Sequence, residues 1–135
     1  MLLYYSSPVT QNTRRLTESI GEDPRLSGVP VMSVQDVDAE NLSPSPKILF
    51  IPSYGGDKAH LVPRPIVSFL NSYGDRGTIV GVVGAGNRNF GVYFCQAAKV
   101  VASKLNVPIL GMAELAGMPG EIRAIQDSVA AALGR

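Results

Sequence analysis

The chain has 135 residues, room for one domain whose core needs neither disulfides nor a structural metal. Twelve basic residues against eleven acidic ones leave a net charge of +1. No run of five like charges marks a nucleic-acid arm or an acidic tail, so nucleic acid is not an expected partner. One cysteine, Cys95, excludes an internal disulfide, and one cysteine with one histidine cannot build a zinc site without several carboxylates.

The first apolar run, Leu2 to Tyr5, is expected to be a strand. Met1 to Tyr5 is too short for a signal-peptide apolar region and lacks a preceding positive segment, and no later stretch approaches the roughly 18 apolar residues of a membrane span. The expectation is a cytoplasmic protein without a membrane partner. Leu16 and Ile20, four apart, set the buried face of a helix that starts near Arg14. Between strand and helix lies Ser6-Ser7-Pro8-Val9-Thr10-Gln11-Asn12-Thr13. Hydroxyls and amides at a helix start favour an anion, because the unpaired N–H groups and the positive end of the dipole act together. The competing reading is an ordinary cap, with Asn12 or Thr13 satisfying the first helical amides. Two glycine-rich segments further along the chain shift the balance towards phosphate.

A weaker strand, Val29 to Val34, comes second. Gln35 to Pro46 is polar and acidic and ends in Ser43-Pro44-Ser45-Pro46; serine alternating with proline predicts an exposed connection with a poor or missing helix. Lys47 to Ile51 is the third strand. It leads into Pro52-Ser53-Tyr54-Gly55-Gly56, where Tyr54 could lie against a planar heterocycle while the glycines let a peptide reorient beside it. A tight turn would explain the glycines but not an exposed tyrosine. In the loop that follows, His60 has no acid or nucleophile partner nearby and reads as a solvated residue. Ile66, Leu70 and Tyr73 mark the next helix.

Thr78 to Val83 forms the fourth strand and runs into Gly84-Ala85-Gly86-Asn87-Arg88-Asn89-Phe90-Gly91. Small residues there let backbone approach a flat ligand. Asn87 and Asn89 can offer amides to a ring edge, and Phe90 packs either on the ring or into the core. Phe94, Ala97, Ala98, Val101 and Leu105 predict the longest helix, with Cys95 as a small residue on it. Val107 to Leu110 is the fifth strand, and Ile122, Ile125, Val129 and Leu133 line the last helix. Near-continuous apolar strands alternating with helices predict a parallel sheet covered on both faces. The fold class is α/β: a single flavodoxin-like domain over residues 1–135, a three-layer sandwich around a five-stranded sheet of order 2-1-3-4-5. Ligands of such sheets bind at the carboxyl ends of the strands, which puts all three loops on one rim.

Several motifs fail. Gly84, Gly86 and Asn89 break G-x-G-x-x-G at its third glycine, and that loop does not follow the first strand. The sequence contains neither G-x-x-x-x-G-K-S/T nor G-x-S-x-G. A phosphoacceptor receiver needs a carboxylate after the third strand, where this chain has Pro52 and Ser53.

Tyr4-Tyr5-Ser6-Ser7 with Asn12-Thr13, Pro52-Ser53-Tyr54-Gly55-Gly56, Val62-Pro63-Arg64, Phe69-Leu70-Asn71, Gly86-Asn87-Arg88-Asn89-Phe90-Gly91, Val107-Pro108 and Glu114-Leu115-x-Gly117 together resemble the NrdI family. The likeness runs through nearly the whole chain. It implies a small FMN flavoprotein that serves class Ib ribonucleotide reductase as a redox accessory and is not a stand-alone enzyme. On that reading, reduced FMN converts dioxygen to superoxide, which reaches the dimanganese site of the reductase small subunit and helps generate its tyrosyl radical. A flavin or flavodoxin reductase is the implied electron source. Ser6, Ser7, Thr10, Asn12 and Thr13 would hold the phosphate; Ser53, Tyr54, Gly55 and Gly56 would line one side of the ring, and Ala85, Gly86, Asn87, Asn89, Phe90 and Gly91 the other. Asp57, Lys58, Arg64 and Arg88 would give the rim a mixed charge, less hostile to a reduced, anionic flavin than an acidic rim. The alternatives are a general flavodoxin-type electron carrier and a flavin-free binding module on the same fold.

Overall fold

Five apolar strands in one layer need cover on both faces, and among the described residues four α-helices supply it. The computed structural model describes residues 1–54 and 62–135. Strands β1 (Leu2–Tyr4), β2 (Val31–Ser33), β3 (Lys47–Pro52), β4 (Ile79–Gly86) and β5 (Ile109–Glu114) pair in parallel in the order β2-β1-β3-β4-β5. Helices α1 (Asn12–Gly21), α2 (Arg64–Ser72), α3 (Gln96–Leu105) and α4 (Pro119–Ala132) complete the three layers expected from the sequence.

Side chains alternate across the sheet. Leu2, Ile48, Phe50, Val83 and Ala85 face Leu16 and Ile20 of α1 and Ile125 and Val129 of α4. Leu3, Leu49, Ile51 and Val82 face Ile66 and Phe69 of α2 and Ala97, Ala98 and Val101 of α3. Each of the Leu, Ile, Val and Phe side chains contributes about 1.5–3 kcal/mol on full burial, so the central strand β3, buried at all six positions, anchors the rim above it.

Lys47 opens β3 and is wholly buried. Its Nζ donates to the carbonyls of Ser43 and Ser45 and sits 5.3 Å from the centroid of the Tyr73 ring. A buried ammonium must have its donors met, and the Ser-Pro-Ser-Pro carbonyls meet them. No helix forms over residues 35–46, as the alternating serines and prolines suggest.

Three boundaries differ from the expectation. β4 continues through Gly84 and Ala85 to Gly86, because α3 lies directly on it: a Cβ at Gly84 would come within 2.8 Å of Cys95 Cβ and 2.9 Å of Ala98 Cβ. Gly84 therefore serves helix packing and not ligand approach. Helix α3 starts only at Gln96, since Cys95 takes a left-handed backbone with φ 55°; the longest helix is α4, with 14 residues. β5 starts at Ile109 and runs to Glu114, where the sequence suggested Val107 to Leu110. It is an edge strand with one neighbour and partly exposed residues, so it carries Gly111 and Glu114 in place of an unbroken apolar run. Among the described residues no helix is long and apolar enough to cross a membrane.

Candidate functional site

The ends of β1, β3, β4 and β5 converge on a cavity of about 210 Å³. Its walls come from the loop and head of α1 (Thr10, Asn12, Thr13), from Ser53 and Tyr54 after β3, from Ala85, Gly86 and Asn87 at the end of β4, and from Leu115 after β5. Eight of these nine are residues expected from the sequence.

The head of α1 is built from backbone. Gln11 occupies the cap position in a left-handed conformation, φ 60° and ψ 17°, and its own side chain makes no capping bond. The Ser6 hydroxyl accepts from the Arg14 amide at 3.2 Å, and the Ser7 hydroxyl accepts from the Val9 amide at 3.2 Å. Gln11 N–H donates to Ser7 O and Arg15 N–H to Gln11 O. Ser6 and Ser7 thus shape the loop, while the amides of Asn12 and Thr13 have no acceptor among the described residues. Neither Asn12 nor Thr13 acts as the cap. With no acidic residue in the first turn, the helix end presents free donors and a positive dipole to the cavity.

Ser53 is buried, and its hydroxyl accepts from the Ala97 amide of α3 at 2.9 Å, so it fastens α3 beneath the cavity. Tyr54 is 42% exposed beside it. Burial raises the phenol above the ordinary tyrosine value, the nearby Tyr5 adds to the rise, and hydrogen bonding at Ser7 offsets part of it. The ring therefore stands neutral against the phosphate-loop candidate. Gly55, Gly56, Asp57, Lys58 and His60 lie outside the described residues.

On the opposite wall, Asn87 Oδ1 accepts from Asn89 N–H at 2.9 Å, closing a turn that leaves the Asn87 NH₂ for a ligand. Asn89 and Gly91 are exposed and stand outside the cavity wall formed by the described residues, and the Phe90 side chain lies outside the description. Gly91 has φ 58° and ψ −120°, a conformation glycine reaches without the strain a Cβ brings. Arg88 does not act as a loose cation on the rim. Its guanidinium pairs with Glu121 at 2.9 Å and lies 4.4 Å from the centroid of the Phe94 ring. Burial acts to raise the Glu121 carboxyl; the Met118 amide, the Arg88 guanidinium and the Glu114 amide together outweigh it and hold the carboxyl below the usual range.

Leu115 is the wall residue that sequence reasoning missed. It has φ 55°, is 48% exposed, and donates its N–H to Gly86 O at 2.8 Å, stitching the β5 loop to the β4 loop. The signal for it was a large apolar residue two positions before Gly117, directly after the fifth strand. Cys95 beneath the site is inert: burial pushes its thiol up to about 12. A wider hollow of about 540 Å³ lies between the 34–40 connection and α2, but it takes in only the end of β2 and no chemistry-bearing loop.

The family described as "NrdI Flavodoxin like" matches residues 3–127. Protein NrdI of Erwinia tasmaniensis is 39% identical over 129 residues, covering 95% of this chain and 90% of that protein. Protein NrdI of Mycobacterium tuberculosis is 35% identical over 136 residues, covering 96% and 85%. Among solved structures, a short-chain flavodoxin associated with a non-canonical PDU bacterial microcompartment superposes with a TM-score of 0.70 at 16% identity, covering 98% of this chain and 94% of that one. Fusobacterium nucleatum flavodoxin bound to flavin mononucleotide does so with 0.67 at 17%, covering 95% and 92%. These solved structures share the fold. The family match reaches all five strands and every loop of the cavity, and on that ground the chain belongs to the NrdI flavodoxin-like family.

Proposed function

We propose that this chain binds one FMN at the β1–β3–β4–β5 rim and serves as the redox accessory of a class Ib ribonucleotide reductase. The observation that carries the reading is the meeting, at one cavity, of free amides from α1 with an aromatic ring and a backbone-lined wall. The donor set fits the cofactor. Amides of Asn12 and Thr13, with the hydroxyls of Thr10 and Thr13, suit a phosphate without needing a lysine. Tyr54 on one side and Gly86, Asn87 and Leu115 on the other suit a flat ring with polar edges. Held by Thr10, Asn12, Thr13 and Tyr54, FMN would supply the one-electron reduction of dioxygen to superoxide that the manganese site of a reductase small subunit would use.

The chain's own part is to orient and shield. Ser53 and Ala97 hold the floor rigid, and the Asn87 turn and Leu115 frame the ring edge. No side chain is required as acid or base. Exposed Val9 (87%), Leu115 and Met118 lie on the loops around the cavity and suit a protein partner's surface.

The test has two stages. The apoprotein is titrated with FMN and riboflavin; tighter binding of FMN supports the phosphate assignment, and equal affinities remove it. The reduced protein, oxygen and a manganese-loaded class Ib small subunit are then mixed, and tyrosyl radical is read by electron paramagnetic resonance. An equal radical yield with a generic flavodoxin would favour the general electron carrier.

A further inference from the structure

Arg88 and Glu121 are 33 residues apart, and their side chains meet at 2.9 Å next to the cavity. We infer that this ion pair is a clasp which fixes the 86–89 turn against the flavin ring, with Glu121 of α4 as a positioning residue. The inference rests on the FMN reading above.

The geometry around Glu121 carries it. One carboxylate oxygen accepts from the amides of Met118, at 2.9 Å, and Glu114, at 3.4 Å. These two residues bracket Leu115, so the oxygen fixes the β5 loop on both sides of a cavity wall. The other oxygen holds Arg88, whose neighbours Gly86 and Asn87 form the facing wall. Arg88 is restrained twice more: its amide donates to Glu114 Oε2 at 3.1 Å, and its guanidinium covers the Phe94 ring. The Leu115–Gly86 bond joins the same two loops through backbone alone. A single carboxylate thus ties both walls to the start of α4.

Exposure sets the size of the effect. Arg88 is 59% exposed and Glu121 19%, so solvent weakens their attraction and the pair alone adds little to global stability. Its contribution is positional. In an unclasped turn, Asn87 and Gly86 would sample more conformations, and FMN would have to order them on binding.

The experiment compares wild type with Arg88→Gln, Glu121→Gln, the double variant and Arg88→Lys. Glu121→Gln keeps an amide oxygen for the Met118 amide, so the start of α4 survives while the ion pair is lost. FMN affinity is read by flavin fluorescence quenching, and backbone exchange of residues 84–93 by hydrogen–deuterium exchange in the flavin-free protein. We expect each single Gln variant to raise the FMN dissociation constant about three- to fivefold, the range an ion pair of this exposure can supply, and the double variant to be no worse than the weaker single. Exchange over 84–93 should quicken in all three while β1 and β3 stay protected. Arg88→Lys, which keeps a charge for Glu121, should recover most of the affinity. Unchanged exchange over 84–93 in both singles, or effects that multiply in the double variant, would overturn the clasp. A wild type that takes up no FMN would instead overturn the functional reading, and the exchange arm would then decide the clasp alone.

Discussion

The Ala97 amide donates to the Ser53 hydroxyl at 2.9 Å, a buried bond that spans 44 residues and joins the end of the central strand to the first turn of α3. It satisfies one of the free amides that every helix start leaves. Ser53→Ala leaves that donor buried without a partner and should lower stability by about 1–3 kcal/mol. Urea unfolding of the flavin-free protein measures this, and a loss below experimental error would mean that water replaces the hydroxyl.

Thr13 is buried at the head of α1, yet lines the cavity. In the proposed FMN site a hydroxyl there would serve the phosphate and nothing in the flavin ring. Thr13→Ala should therefore weaken FMN by about 1 kcal/mol while leaving riboflavin affinity unchanged. Parallel titrations with the two flavins check it; an equal loss for both would place Thr13 beside the ring.

Gly84 faces Cys95 and Ala98 at distances no real Cβ tolerates. Gly84→Ala should cost about 1–3 kcal/mol through overpacking, visible as a lower thermal midpoint. Gly77→Ala is the matched control, since an added Cβ there meets nothing within 4 Å, and it should leave the midpoint nearly unchanged.

Asp23 binds Arg25 through the backbone amide at 2.9 Å and through Nε and Nη2, and Arg25 also reaches Asp127 on α4 at 2.7 Å. The Arg25 hydrogen bonds hold the Asp23 carboxyl below the ordinary range. A carboxyl depressed on folding contributes stability that is complete above its unfolded pKa and disappears as the pH falls through the folded one. Glu121 is shifted in the same direction. Stability should thus fall with pH below about 4, where free carboxyls begin to protonate. Asp23→Asn should flatten part of that fall in urea midpoints measured across the acid range; an unchanged slope would remove Asp23 from the acid response.

The strand order and the three loops of the rim were legible because fully covered parallel strands write themselves as apolar runs. β3 is the clearest case. β5 was misplaced for the opposite reason, since an edge strand with exposed Ile109 and Met112 has less pressure to be uniformly apolar. Gly84-Ala85-Gly86 looked like loop because a strand packed tightly under a helix needs the same small residues that a loop uses. The Arg88–Glu121 pair and the Ser53–Ala97 bond were invisible: each joins residues more than 30 positions apart, and neither residue type announces its partner. Those long-range pairs turned a free rim cation into a fixed one, and gave Ser53, a residue of the cavity wall, a second duty as a helix cap.

The buried Lys47 has a consequence for proteolysis. A Ser-Pro-rich connection ending in lysine looks like a place for trypsin to cut. The protease must draw the basic side chain into its own pocket and hold the neighbouring residues extended in its cleft, but Lys47 points into the protein and Ile48 already belongs to the central strand. Cleavage after Lys47 requires β3 to leave the sheet. The rate of that one cut should follow opening of the whole domain, so it can serve as a protease clock for global unfolding.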